Sequence, residues 1–179
     1  MSRSLPGKQY FGDSWRPILG VPGAVLLGLA AGCEGSSAEV SGTANGIAFG
    51  ESSWVFWGAR YVVVSAVEME CSDLHWVEQN YDTTSGAPSE FDTSIVQFTF
   101  AGELIETGKF TIAQGASVQA TVVNIDAGVF HEMNATAGTF DLESVEDEGF
   151  ATGSFEAVTF EDGSLDGTFN AEWCRTLKP

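Results

Sequence analysis

The sequence predicts an all-β fold, an antiparallel two-sheet β-sandwich, with a closed β-barrel as the alternative. Three observations carry this prediction. Short runs in which apolar and polar residues alternate recur from residue 39 onward, with turn residues between them. A triplet of glycine, hydroxyl residue and phenylalanine returns at intervals of 15 and 14, as Gly138-Thr139-Phe140, Gly153-Ser154-Phe155 and Gly167-Thr168-Phe169. Finally, about nine or ten such strands and little helix suit two packed sheets, or a sheet closed on itself.

Taken in order, residues 39–44 read as a strand, Asn45-Gly46 as the strongest short hairpin signal, and residues 47–49 as the returning strand. Gly50-Glu51-Ser52-Ser53 reads as a loop, and residues 54–57 resume an extended aromatic run. Residues 61–69 read as a long central strand. Tyr61, Val63, Val67 and Met69 share one face and Val62, Val64 and Ala66 the other, so the first half is apolar on both sides. The second face turns polar at Glu68, and the strand should leave the core near Cys71. One short helix is expected next, with Ser72 as N-cap and Leu74, Val77 and Tyr81 at helical spacing. Residues 82–93, with Gly86-Ala87-Pro88, form the longest loop.

The remainder reads as β. Val96, Phe98 and Phe100 alternate with Gln97 and Thr99, and Phe110 and Ile112 with Lys109 and Thr111. Val118, Ala120 and Val122 hold one face until Val123 and Ile125 change phase, which a β-bulge would produce. The triplets then mark successive antiparallel strands, with Gly108-Lys109-Phe110 as an earlier relative. Each unit puts a Phe on the core face, and a Gly where a neighbouring side chain can lie over the backbone. In the last strand Leu165, Gly167, Phe169, Ala171 and Trp173 face the core, opposite Asp166, Thr168, Asn170 and Glu172.

Ahead of this domain, Arg3, Lys8 and Arg16 precede an apolar stretch over 17–29, followed by the small residues Ala30, Ala31 and Gly32 and then Cys33. The apolar stretch is broken by Gly20, Pro22, Gly23 and Gly28, whereas a spanning helix needs roughly 20 apolar residues without such breaks. Leu29-Ala30-Ala31-Gly32-Cys33 resembles the lipobox of bacterial lipoproteins, with Ala30 where the family usually has Leu. The resemblance implies a signal peptide over 1–32, removed at Cys33, and a diacylglyceryl cysteine with fatty-acyl chains such as palmitate. Two or three chains hold a protein on a bilayer far more firmly than one, since each buried methylene is worth ~0.8 kcal/mol. Glu34 stands where an Asp would retain a lipoprotein in the inner membrane, so the outer membrane is favoured. Residues 33–38 then serve as a flexible tether, and 39–179 as a single β domain.

Beyond Gly32 the basic residues are Arg60, Lys109, Arg175 and Lys178, against 24 acids, a net charge of −20. That charge excludes nucleic acid as a partner and gives no electrostatic help at an anionic bilayer. It suits a solvated surface that keeps an exported protein soluble. Setting Cys33 aside, Cys71 and Cys174 remain, an even number that suggests a disulfide in an exported chain. Two separate buried thiols are the alternative, and Cys174 has the opposite parity to core-facing Trp173, so the strand must end or bulge there or the bridge must lie at an edge.

The Asn45-Gly46 hairpin, the Cys after the long apolar strand, the Gly-Thr-Phe and Gly-Ser-Phe strands and the last strand ending in Cys together resemble a group of uncharacterised β-rich bacterial lipoproteins. The resemblance implies the fold and the disulfide and carries no reactive residue.

For catalysis there is no Gly-x-Ser-x-Gly elbow and no Ser-x-x-Lys pair, and carboxylate pairs in so acidic a chain are uninformative, so the expectation is a non-enzymatic protein without cofactor. His75 and His131 with Cys71 lack the spacing of a transition-metal site. Asn124-x-Asp126-x-Gly128, Glu146-Asp147-Glu148-Gly149 and Glu161-Asp162-Gly163 are acidic turns that fall short of a calcium loop. Trp54, Trp57, Trp76 and Tyr81 are candidates for a glycan platform, although Trp54 and Trp57, three apart, should point to opposite faces of a strand. The chain is thus expected to be a lipid-anchored envelope protein, structural or binding other envelope proteins, with a glycan- or calcium-binding module as the alternative.

Overall fold

The described residues form one curled, open, mixed sheet, in agreement with the all-β prediction. They are residues 35–52, 54–74, 93–102, 105–126 and 129–177 of a computed structural model. The strands are β1 (Ser37–Ala44), β2 (Ile47–Ala48), β3 (Glu51–Ser52), β4 (Val55–Gly58), β5 (Tyr61–Ser65), β6 (Thr93–Phe100), β7 (Gly108–Thr111), β8 (Val118–Asp126), β9 (Val129–Asn134), β10 (Ala137–Val145), β11 (Phe150–Thr159) and β12 (Ser164–Trp173). Their order across the sheet is β7-β10-β11-β12-β4-β5-β6-β8-β9, with β1 beside β12 and the short β2 and β3 beside β1. No described helix is long and apolar enough to cross a membrane.

The sheet is not purely antiparallel, which corrects the sequence prediction. β1 covers the edge of β12 only from Thr43↔Ser164 to Ser37↔Asn170, leaving the end of β12 unpaired. The chain leaving β3 runs alongside that vacant end, and β4 pairs with it in parallel at Glu172↔Phe56 and Trp173↔Trp57. Ladder hydrogen bonds that would otherwise be buried unmade are satisfied in this way.

The Asn45-Gly46 turn joins β1 to β2 with φ of 54° and 73°, the pair of positive values that a two-residue hairpin turn requires. Part of the expected loop after Gly50 is strand: β3 pairs with β1, and Ser52 Oγ donates to the Ser65 carbonyl at 2.6 Å while accepting from Trp54 N. β5 ends at Ser65, well short of Met69, because the Ser65 hydroxyl turns back onto Val67, accepting from its N and donating to its O. Residues 71–74 form a helical turn. Its cap is Glu70 rather than Ser72: Glu70 N donates to Asp73 Oδ2 at 2.8 Å, and Asp73 N donates back to the Glu70 carbonyl. The rest of the expected helix and the loop to residue 92 lie outside the described residues.

Curling gives the sheet two separate cores. In the larger, Phe98 of β6 packs against Phe140 of β10 and Phe155 of β11, with ring centroids 4.6 and 4.9 Å apart. The smaller lies on the opposite side of β4, β5, β6 and β8, where Phe56, Val63, Ile95, Val123 and Ile125 are covered by Met69, Leu74, Cys174 and Leu177. This arrangement explains the phase change in β8. Its register with β6 runs unbroken from Thr93↔Ile125 to Phe100↔Val118, so there is no bulge here. Val122 faces the large core and its neighbour Val123 the small one, and both are buried. The sheet's irregularities lie elsewhere, in β10 near Gly138 and Glu143 and in β11 between Phe155 and Val158.

The triplets occupy adjacent strands, as their spacing predicts. Phe140, Phe155 and Phe169 are buried in the large core, and Phe110 of β7 pairs with Phe140 at the sheet edge. Phe155 stands opposite Gly167, and Phe169 opposite Gly153.

Candidate functional site

Gly35 is the first described residue, and its carbonyl accepts a hydrogen bond from Asn170 Nδ2 at 3.3 Å. β1 then begins at Ser37, two residues earlier than its alternation suggests. The chain enters the sheet where β12 passes from β1 to β4. Around that point Trp54, Met69, Glu70, Cys71 and Glu172 line a shallow depression together with Gly35. Cys33 and the segment before it lie outside the described residues.

The Cys71–Cys174 disulfide is formed, with Cα atoms 5.5 Å apart. β12 ends at Trp173, so Cys174 turns to the other side of the sheet and enters the small core, which resolves the parity conflict. Thr176 Oγ1 donates to the Cys71 carbonyl at 2.8 Å, and Cys174 N donates to the Trp57 carbonyl, so both sides of the bridge are tied to backbone. The bridge fastens the helical turn and the C-terminal segment over the small core.

The aromatic candidates do not assemble into a platform among the described residues. Trp57 is buried at 4% exposure, edge-on to Trp173, with its Nε1 donating to the Gly149 carbonyl. Trp54 is half-buried at the chain entrance. Trp76, Tyr81 and His75 lie outside the described residues. His131 is exposed on β9. Of the acidic turns, Asp162 uses both carboxylate oxygens to accept the amides of Asn45 and Gly46, each at 2.9 Å, a hairpin clasp. Asn124 Oδ1 accepts from Ser94 Oγ. No three His, Cys, Asp or Glu side chains converge among the described residues.

The most distinctive surface was not singled out by the sequence. On the outer side of β5, β6, β8 and β9 the small core fills only one end, because the inward residues give way to polar ones along each strand. Register places Tyr61, Thr99 and Gln119 in one row and Gln97, Thr121 and Asn134 in the next. With Arg60 and Glu132 they line a groove of about 470 Å³ floored at its inner end by Leu74 and Leu177. Arg60 Nε donates to Tyr61 Oη at 2.9 Å and its guanidinium lies 5.1 Å from the centre of the Tyr61 ring. Gln97 Nε2 donates to Thr99 Oγ1, and Thr121 Oγ1 to Asn134 Oδ1. The Gln119 amide has no hydrogen-bond partner among the described residues.

The opposite half of the sheet contrasts with it. Glu39, Asp141, Glu143, Glu156 and Asp166 are spread over the outside of β1, β10, β11 and β12, relieved by Lys109. Lys109 pairs with Asp141 at 3.1 Å, and the hydrogen bond and charge of Asp141, with Glu156 and Glu143 nearby, hold the ammonium pKa above its ordinary value. The chain matches no protein family, no curated protein and no solved structure.

Proposed function

We propose that this chain is a lipid-anchored domain of the bacterial cell envelope, held in the outer membrane through Cys33, with a structural or protein-interaction role rather than a catalytic one. The observation that supports the anchor is the run Leu29-Ala30-Ala31-Gly32-Cys33 after an apolar stretch; the hydrogen bond from Asn170 to Gly35 adds that the domain begins within two residues of that cysteine. Two residues reach about 7 Å at most. A domain tied so closely to its acyl chains stands directly on the bilayer, with the end that carries Trp54 and the disulfide turned towards it. The −20 charge of the part beyond Gly32 suits this arrangement, since the lipid supplies the hold and the acidic surface keeps the remainder in water. Within the domain we read the curled sheet as two facing layers, a sandwich in effect, on the support of Phe98 packing across the core on Phe140 and Phe155.

Fractionation of cells expressing the full chain tests the anchor. Wild type is expected in the membrane fraction and extractable only by detergent, and Cys33→Ser in the soluble fraction of the envelope. Equal membrane retention of the two would overturn the proposal.

A further inference from the structure

The groove between Arg60 and Asn134 is lined by one cation, one carboxylate and otherwise neutral polar side chains in a strongly acidic chain, and that contrast bears on what it can bind. Its walls carry three amide side chains, two threonine hydroxyls and a tyrosine, with one cation and one carboxylate that offset each other. An anionic ligand would meet a single arginine within a field set by 24 acids. A cationic ligand would find more carboxylates on the outside of β10, β11 and β12 than here. What remains is an uncharged ligand rich in groups that both donate and accept hydrogen bonds. We propose that this groove is a binding site for a neutral oligosaccharide.

The row geometry fits that chemistry. Neighbouring strands lie about 4.8 Å apart, so successive residues of a row meet successive polar groups of an extended ligand at that spacing. Gln97 and Asn134 are each partly committed to a threonine neighbour, which fixes their orientation and leaves their remaining amide capacity facing the groove. Gln119 keeps its whole amide for a ligand. Tyr61, half-buried and held by Arg60, offers ring edge and hydroxyl at the end of one row. Leu74 and Leu177 close the inner end of the groove but are buried in the small core, so the contacts to a ligand come from the polar rows.

The position of the groove is also suitable. β4 leaves the Gly35 end of the domain and the β4–β5 turn at Arg60 lies about 15 Å further along the strand. If Cys33 carries the anchor, the Arg60 end of the groove lies at the far end of β4 from it. Sugar binding itself does not depend on the anchor, so either proposal can fail alone.

The test is a titration of the full chain, ¹⁵N-labelled and held in detergent micelles, with cellotetraose, maltotetraose and chitotetraose up to 20 mM. At least one is expected to shift the side-chain amide resonances of Gln97, Gln119 and Asn134. The double variant Gln97→Ala/Gln119→Ala is expected to bind about tenfold or more weakly with an unchanged melting temperature, since each lost hydrogen bond removes about 1 kcal/mol. Glu39→Gln, on the far side of the sheet, should bind as wild type. Absence of any shift at these amides with all three sugars would overturn the proposal, as would binding undiminished in the double variant. Shifts at the same amides with polygalacturonate but with none of the neutral sugars would overturn it equally.

Discussion

The ring of Phe155 on β11 lies over the backbone of Gly167 on β12, so close that a Cβ at Gly167 would come within 2.7 Å of its Cζ. The relation is repeated two residue pairs away, where Phe169 covers Gly153 and a Cβ there would meet its Cζ at 2.8 Å as well as the Asp141 carbonyl. Each glycine is thus a recess for the neighbouring strand's phenylalanine, and the triplet is a packing unit that fits itself. Gly167→Ala should destabilise the domain by roughly 1–3 kcal/mol, because the Phe155 ring and the Glu39 carbonyl, both 2.7 Å from the added Cβ, must give way in a dense core. Chemical denaturation checks this, and a Gly115→Ala variant does not serve as control, since Gly115 has a φ of 76°; Gly50→Ala, with open space around it, does.

Removing the rings themselves should cost more. Phe140 and Phe155 are 0% and 1% exposed and both touch Phe98. Either one changed to Ala should lose about 3–5 kcal/mol, enough to unfold a domain of ordinary stability at room temperature. Circular dichroism of the purified variants measures it, and a loss below about 1 kcal/mol would mean that these rings do not pack on Phe98 as described.

The disulfide spans 103 residues, a loop for which chain entropy gives a stabilisation of about 4.7 kcal/mol as an upper figure. Cys71→Ala combined with Cys174→Ala should lower the unfolding free energy by most of that amount. Thiol titration of the exported protein under denaturing, non-reducing conditions should find neither cysteine of the pair free.

Asp162 secures the first hairpin from 116 residues away. Asp162→Ala should cost about 1–2 kcal/mol, because two backbone amides lose a charged acceptor at a surface where water partly replaces it. Faster hydrogen exchange at Asn45 and Gly46, with the β10–β12 amides unchanged, is the expected signature.

Where one side of a strand is buried and the other wet, the sequence was legible. β12 alternates through ten residues, and the Gly-Phe units announce their own neighbours because each supplies both ring and recess. Two-sided burial was read correctly in β5, where Val62, Val63 and Val64 are all buried, but not in β8. Val122 and Val123 are adjacent apolar residues, and in one dimension a strand covered on both faces is indistinguishable from a strand that slips by one. The parallel pairing of β12 with β4 was hidden for another reason, since it depends on where β1 stops and is not written in either partner. The groove was missed because Tyr61, Gln97, Gln119 and Asn134 come from four strands, and each by itself is an ordinary outward residue. One signal was available: in a chain with 24 acids beyond Gly32, the outward positions of β6 and the first half of β8 carry amides and hydroxyls and no carboxylate.

The central claim is that a lipid on Cys33 holds the domain through a tether too short to let it wander. The most direct measurement is the intact and N-terminal mass of the mature protein purified from native membranes. A chain beginning at Cys33 and carrying the mass of a diacylglyceryl group, with or without a further acyl chain, is the expected result. A protein cleaved elsewhere and bearing no acyl group, or one retaining residues 1–32, would contradict it.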